Sequence, residues 1–139
     1  MSTATAIPSL GSSVVPAEQR VQFLPKHFGT EYLNVESMIF SWASRLSDDY
    51  IGEHWQFFEL DNGGCYLAPD HSSRIRVSYP LNEYEGVMGA DAFGIVVTLY
   101  TLCHIAEITG DDSFVDRYHL LKTYAKQHPE FREISAAID

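Results

Sequence analysis

Basic residues are scarce in this chain. Nine Lys plus Arg stand against nineteen Asp plus Glu in 139 residues, a formal charge of −10. General nucleic-acid binders carry a basic footprint that counters the phosphates, so this balance excludes that class. Cysteine is scarcer still. Cys65 and Cys103 are the whole complement, too few and too far apart for a disulfide scaffold or a Cys-x-x-Cys metal or redox pair. The start of the sequence, 1–11, has neither a basic n-region nor an apolar h-region, so no signal peptide is expected. The longest apolar stretch, 90–108, is broken by Asp91, Thr98, Thr101, His104 and Glu107, whereas a membrane span needs about 20 predominantly apolar residues. A cytoplasmic protein without membrane association is the expectation.

Catalytic motifs are missing too. The sequence contains no Gly-x-x-x-x-Gly-Lys, Gly-x-Gly-x-x-Gly, Gly-x-Ser-x-Gly or His-Glu-x-x-His, so phosphate cradles, nucleophile elbows and zincin sites lack their signatures. The six histidines, His27, His54, His71, His104, His119 and His128, show no metal-ligand spacing. No metal and no cofactor are expected. A Cys–His pair is a spatial matter that spacing does not decide. Cys65 with His54 or His71 across a sheet, or Cys103 with a histidine, therefore stands as the enzyme alternative.

What is present reads as an α+β domain. At 45% hydrophobic and 20% charged the composition is globular, and a chain of this length forms one domain. Residues 1–19 are rich in Ser, Thr and Ala without a usable period and read as a flexible tail, leaving 20–139 as the domain. From Asn34, Val35, Met38, Ile39, Trp42, Ala43 and Leu46 follow helical spacing, with Asn34 or Ser37 as cap and Ser47-Asp48-Asp49 as stop. Three strand-like runs follow: 55–60, 65–68 after the Asn62-Gly63 turn, and the alternating 74–79. Residues 85–88 supply a short fourth. A small antiparallel meander joins them most simply. Residues 90–109, apolar almost all round, predict a buried central helix, and Gly110 suits its end. Asp111, Asp112 or Ser113 caps a helix carrying Phe114, Tyr118, Leu121 and Ala125. A last helix follows Pro129 with Phe131, Ile134 and Ile138 inward. Four to five helices thus pack with the sheet.

Charge is concentrated in the middle of the chain. Residues 30–110 hold twelve acids against three bases. Neither 46–73 nor 77–116 contains Lys or Arg. Asp48, Asp49 and Glu53 at the end of the first periodic helix, with Glu83, Glu85 and Asp91 before the central one, are the candidate partner-binding acids. An acidic DNA mimic is the alternative reading. Duplex DNA carries one charge per ~1.7 Å, so ten net charges match only about 17 Å of duplex, a weak decoy.

Separate blocks, in order, carry a resemblance. They are Phe23-Leu24-Pro25-Lys26-His27-Phe28-Gly29, Trp42, the run from Trp55 to Gly64, Gly89-Ala90-Asp91-Ala92-Phe93-Gly94-Ile95-Val96, Asp116-Arg117-Tyr118, His128-Pro129-Glu130 and Ala137-Ile138-Asp139. Over roughly residues 20–139 the chain resembles the ArdB/KlcA antirestriction family. That resemblance implies a small α+β protein of plasmids or genomic islands that protects incoming DNA from host type I restriction–modification enzymes. The family has no recognised catalytic motif, so it implies no catalytic residues here. The implied partner is the host type I restriction–modification complex or an associated host protein. A monomer acting by protein–protein contact is the expectation here, and the acidic charge predicts no direct nucleic-acid binding.

Overall fold

The computed structural model describes residues 10–50, 52 and 54–139. Its order is β1 (Ser12–Val14), α1 (Arg20–Phe28), α2 (Tyr32–Leu46), β2 (Trp55–Leu60), β3 (Cys65–Pro69), β4 (Ile75–Tyr79), β5 (Tyr84–Met88), α3 (Ala90–Thr109), α4 (Asp112–Ala125) and α5 (Phe131–Ile138). Strands cluster in the middle with helices around them, the α+β arrangement that the periodicities imply.

The central helix is where its composition puts it. From Ala92 to Leu99 every residue of α3 is buried. By length and composition this helix could cross a membrane, yet most of it lies inside the protein. Its polar stripe of Thr98, Thr101 and His104 has partners. Thr98 Oγ1 accepts the Leu67 N–H at 3.2 Å and donates to the Gly94 carbonyl at 2.8 Å. Thr101 bonds back to the Val97 carbonyl. Trp42 Nε1 donates to His104 Nδ1 at 3.3 Å.

The meander does not form. The strands make two antiparallel sheets, β1-β2-β3 and β4-β5. The predicted Asn62-Gly63 turn is real, since Glu59 pairs with Cys65 beside Gly63 at φ 89°; in the second sheet Tyr79 pairs with Tyr84. Between β3 and β4 the helix intervenes. Thr98 takes the outward N–H of Leu67, and α3 approaches so closely at Gly94 that a Cβ there would lie 2.3 Å from the Leu67 carbonyl oxygen. The open edge of β3 is thereby satisfied by a helix rather than by a fourth strand.

The N-terminal segment also differs from the expectation of a tail. Ser12–Val14 pairs with Leu60–Phe58 as an edge strand. Gly11 N–H donates to Asp61 Oδ2 at 2.7 Å, and the Gln127 side chain bonds both backbone groups of Leu10. The described residues of 1–19 are thus tied to the domain. Helix α1 has no counterpart in the periodicity reading, since Pro25 sits inside it, where an unbroken helix pattern is not expected. Helix α2 starts at Tyr32 with Glu31 as its flanking residue. Asn34 therefore lies inside the first turn, donating to Glu31 Oε1. Asp111 does cap α4, accepting the Ser113 N–H at 2.9 Å.

Candidate interaction surface

The last turn of α2 sets one wall of a surface groove. Trp42 is buried and stacks on Tyr100, with ring centroids 4.6 Å apart. Its other neighbours are the edge of Tyr79 and the Arg45 guanidinium, whose carbon is 4.6 Å from the Trp42 ring centre. A guanidinium held over an indole keeps its charge presented outward while its stem covers carbon. After Leu46 the chain turns sharply. Ser47 is buried, and its Oγ accepts the Asp49 N–H at 3.0 Å, a local turn of the kind Ser favours.

This turn leaves Asp48 exposed and aims Asp49 at β4. Asp49 Oδ1 accepts from the Arg76 guanidinium at 2.9 Å, and Oδ2 accepts the Arg76 backbone N–H at 2.9 Å. These bonds, the Arg76 side chain first, hold the Asp49 carboxyl down at about 2. The opposite wall is the wet face of β4-β5. Cross-strand pairs Arg76–Val87 and Ser78–Glu85 project outward there, while Ile75, Val77 and Met88 project into the core. The groove between these walls has a volume of about 620 Å³ and is lined by Arg45, Asp48, Asp49, Arg76, Ser78 and Glu85, among others.

Three of the six predicted acids, Asp48, Asp49 and Glu85, therefore meet in one groove. Glu83 is exposed on the adjoining β4-β5 turn, at φ 58°. Asp91 is elsewhere. It accepts the Tyr66 hydroxyl at 2.7 Å and His128 Nε2–H at 2.9 Å. His128 Nδ1 accepts the Glu130 N–H, which leaves Nε2 as the donor to Asp91. Asp91 thus ties the start of α3 to β3 and to the α4–α5 connection. Glu53 lies outside the described residues. Sequence reasoning missed Arg45 and Arg76, which make the groove mixed in charge rather than acidic. The β4 alternation already placed Arg76 on the wet face, but Arg45 needed the fold to bring Trp42 and Tyr79 beneath it.

A second polar cluster joins blocks distant in sequence. His27 of α1 is buried, with Nε2 2.7 Å from Glu59 Oε2 of β2 and Nδ1 3.3 Å from the Arg117 guanidinium of α4. Arg donates only, so Nδ1 accepts and Nε2–H donates to Glu59. Burial pushes the His27 pKa down, against the raising influence of Glu59. Lys26 also donates to Glu59 Oε2, and Lys26 and His27 together hold that carboxyl below its usual range.

The thiols have little nucleophilic character. Cys65 is buried, and burial pushes its thiol up to about 12. His54 is engaged by Arg20 at 2.7 Å. Cys103 is exposed, and its partial desolvation, with Glu107 nearby, moves its thiol upward. Thiolates, not thiols, attack. Among the described residues no group of three or more His, Cys, Asp or Glu is placed to hold a metal ion.

A family model for antirestriction proteins matches residues 48–139. The chain is 41% identical over 133 residues to the antirestriction protein KlcA of Escherichia coli, covering 92% of this chain and 94% of that protein. It is 38% identical over 134 residues to the protein YfjX of Escherichia coli strain K12, covering 94% and 88%. A solved structure superposes with a TM-score of 0.89 at 37% identity, over 99% of this chain and 100% of that one. It belongs to a study of the KlcA and ArdB proteins, which describes a novel fold and antirestriction activity against type I DNA restriction systems in vivo but not in vitro. The fold and the matches define an antirestriction protein. Within that class, the chain belongs to the KlcA/ArdB family.

Proposed function

We propose that this protein protects incoming mobile-element DNA from host type I restriction–modification systems, acting in the cytoplasm by protein–protein contact and without catalysis. Family membership supports the target class. The observation that carries the contact is the groove in which Asp48 and Glu85, from different elements, stand exposed beside Arg45 and the Asp49–Arg76 pair. A surface with both charge signs at fixed positions suits recognition of a protein face. Arg45 and Arg76 interrupt the acidity, which weighs against a DNA mimic. Asp48, Glu83 and Glu85 would carry contacts. Asp49 would hold the wall of the groove and Asp91 the start of α3, and Glu53 stays in the proposal by its position just beyond Asp49.

The solved relative acts in vivo but not in vitro. Carried over to this chain, that favours a contact with the host restriction complex in its cellular setting or with an associated host protein. Reversing Asp48 and Glu85 together (Asp48→Lys, Glu85→Lys) tests the groove. The expected result is protection of unmodified phage reduced about tenfold or more, with an unchanged melting temperature. Full protection by the folded double variant would remove this groove as the contact surface.

A further inference from the structure

A second surface feature lies apart from the groove and owes nothing to it. Between α3 and α4 runs an open cleft of about 450 Å³, in which Leu102, Cys103 and Ala106 face Val115 and Tyr118. Glu107 and His119, both exposed, complete its lining. On α3 the lining runs from fully buried Leu102 to exposed Cys103 and Glu107. Val115, facing them from α4, is 42% exposed. The lining is mostly carbon, with Glu107 and His119 as its polar rim.

The cleft has an electrical polarity. Its end at the α3–α4 turn gathers Glu107, Asp111 and Asp112 within a stretch, 77–116, that contains no Lys or Arg. The other end has a cation, Lys122, whose Nζ stands 6.0 Å from the Tyr118 ring centre. Few polar groups converge inside the cleft, so little there would orient a small polar ligand. Glu107, Asp111 and Asp112 against Lys122 alone leave this face net negative, so on balance a second copy docked on it would be repelled.

We propose that this cleft docks a helical segment of a partner protein. Apolar side chains of an amphipathic helix would seat between α3 and α4, and Lys or Arg on the same helix would lie against Glu107, Asp111 and Asp112. Anchors at i, i+3 and i+4 spacing are the general mode by which a helix fills such a groove.

The test is a two-dimensional amide NMR titration of the whole protein with a synthetic amphipathic Leu/Lys peptide of about fourteen residues, close to four helical turns. Two control peptides keep the length, one with Leu replaced by Gln and one with Lys replaced by Glu. The Leu/Lys peptide should shift the amides of Cys103, Ala106, Val115 and His119, and each control should bind about tenfold more weakly or worse. Val115→Glu should abolish those shifts. Glu107→Lys, a change at an exposed position, should weaken them and give the same reading if Val115→Glu lowers the melting temperature. Equal binding of the Gln peptide, shifts spread over the Asp48–Glu85 face, or binding unaffected in both variants would overturn the proposal. So would a dimer in sedimentation equilibrium that Val115→Glu dissolves, since a second copy would then be the occupant.

Discussion

Thr98 has no exposed surface, and its hydroxyl accepts the Leu67 N–H on the open edge of β3. Val has nearly the same shape but cannot accept that bond, so Thr98→Val leaves a buried donor unpaired. The expected cost is about 1–3 kcal/mol, measured by denaturant unfolding. Thr101→Val is the control. That hydroxyl bonds only to the Val97 carbonyl of its own helix, a group the helix ladder already serves, so its loss should cost far less. The polar stripe of Thr98, Thr101 and His104 was visible in the sequence, whereas the partners it meets were not. Periodicity reports which face a residue occupies but not what stands opposite. Asp49 makes a pH-dependent prediction. Its folded pKa of about 2 lies below the ordinary 3.8, chiefly because of the Arg76 guanidinium. A depressed carboxyl pKa contributes stability that is complete above the unfolded value and is lost as pH falls through the folded one. Asp49→Asn should therefore melt below the wild type at neutral pH. The two melting curves should converge as pH drops from about 4 to about 2.

At the scale of elements, the helix–strand contact between α3 and β3 organises the molecule. Gly94 permits it, since a Cβ there would stand 2.3 Å from the Leu67 oxygen and 2.4 Å from Ala68 Cβ. Backbone on one side and a packed methyl on the other leave nothing flexible to yield. Gly94→Ala should cost about 3 kcal/mol or more. Gly89→Ala should cost less, because its nearest obstacle at 3.0 Å is the end of the Glu130 side chain rather than backbone, although that carboxylate also holds the Gly89 N–H and Arg74. Thermal unfolding of the two variants side by side checks both. The elements themselves were largely legible. Apolar spacing marked α2, α4 and α5, an all-round apolar run marked α3, and alternation marked β4. The separation into two sheets was not legible, because alternation defines the faces of a strand and leaves its edge partners open. Helix α1 escaped notice because Pro25 interrupts the expected pattern, and β1 because three residues carry no period.

For the whole molecule, the uneven charge was the legible part of the candidate site, and its form was not. Asp48, Asp49 and Glu85 do meet in one groove, yet Asp91 is engaged by Tyr66 and His128 far along the chain. Arg45 and Arg76 turn an anticipated acidic face into a mixed one. Charge counts along a sequence cannot foresee such juxtapositions, since they follow from how α2 ends against β4. Family blocks read from the sequence agree with the matches found for the folded chain, and they carry the functional reading further than composition could. The central claim is antirestriction, and the most direct measurement is the plating efficiency of unmodified phage on a type I restricting host, with and without this protein expressed. The account predicts a large rescue of plating on the restricting host and no change on an isogenic host lacking the restriction system. Equal plating with and without abundant, folded protein on the restricting host would contradict it.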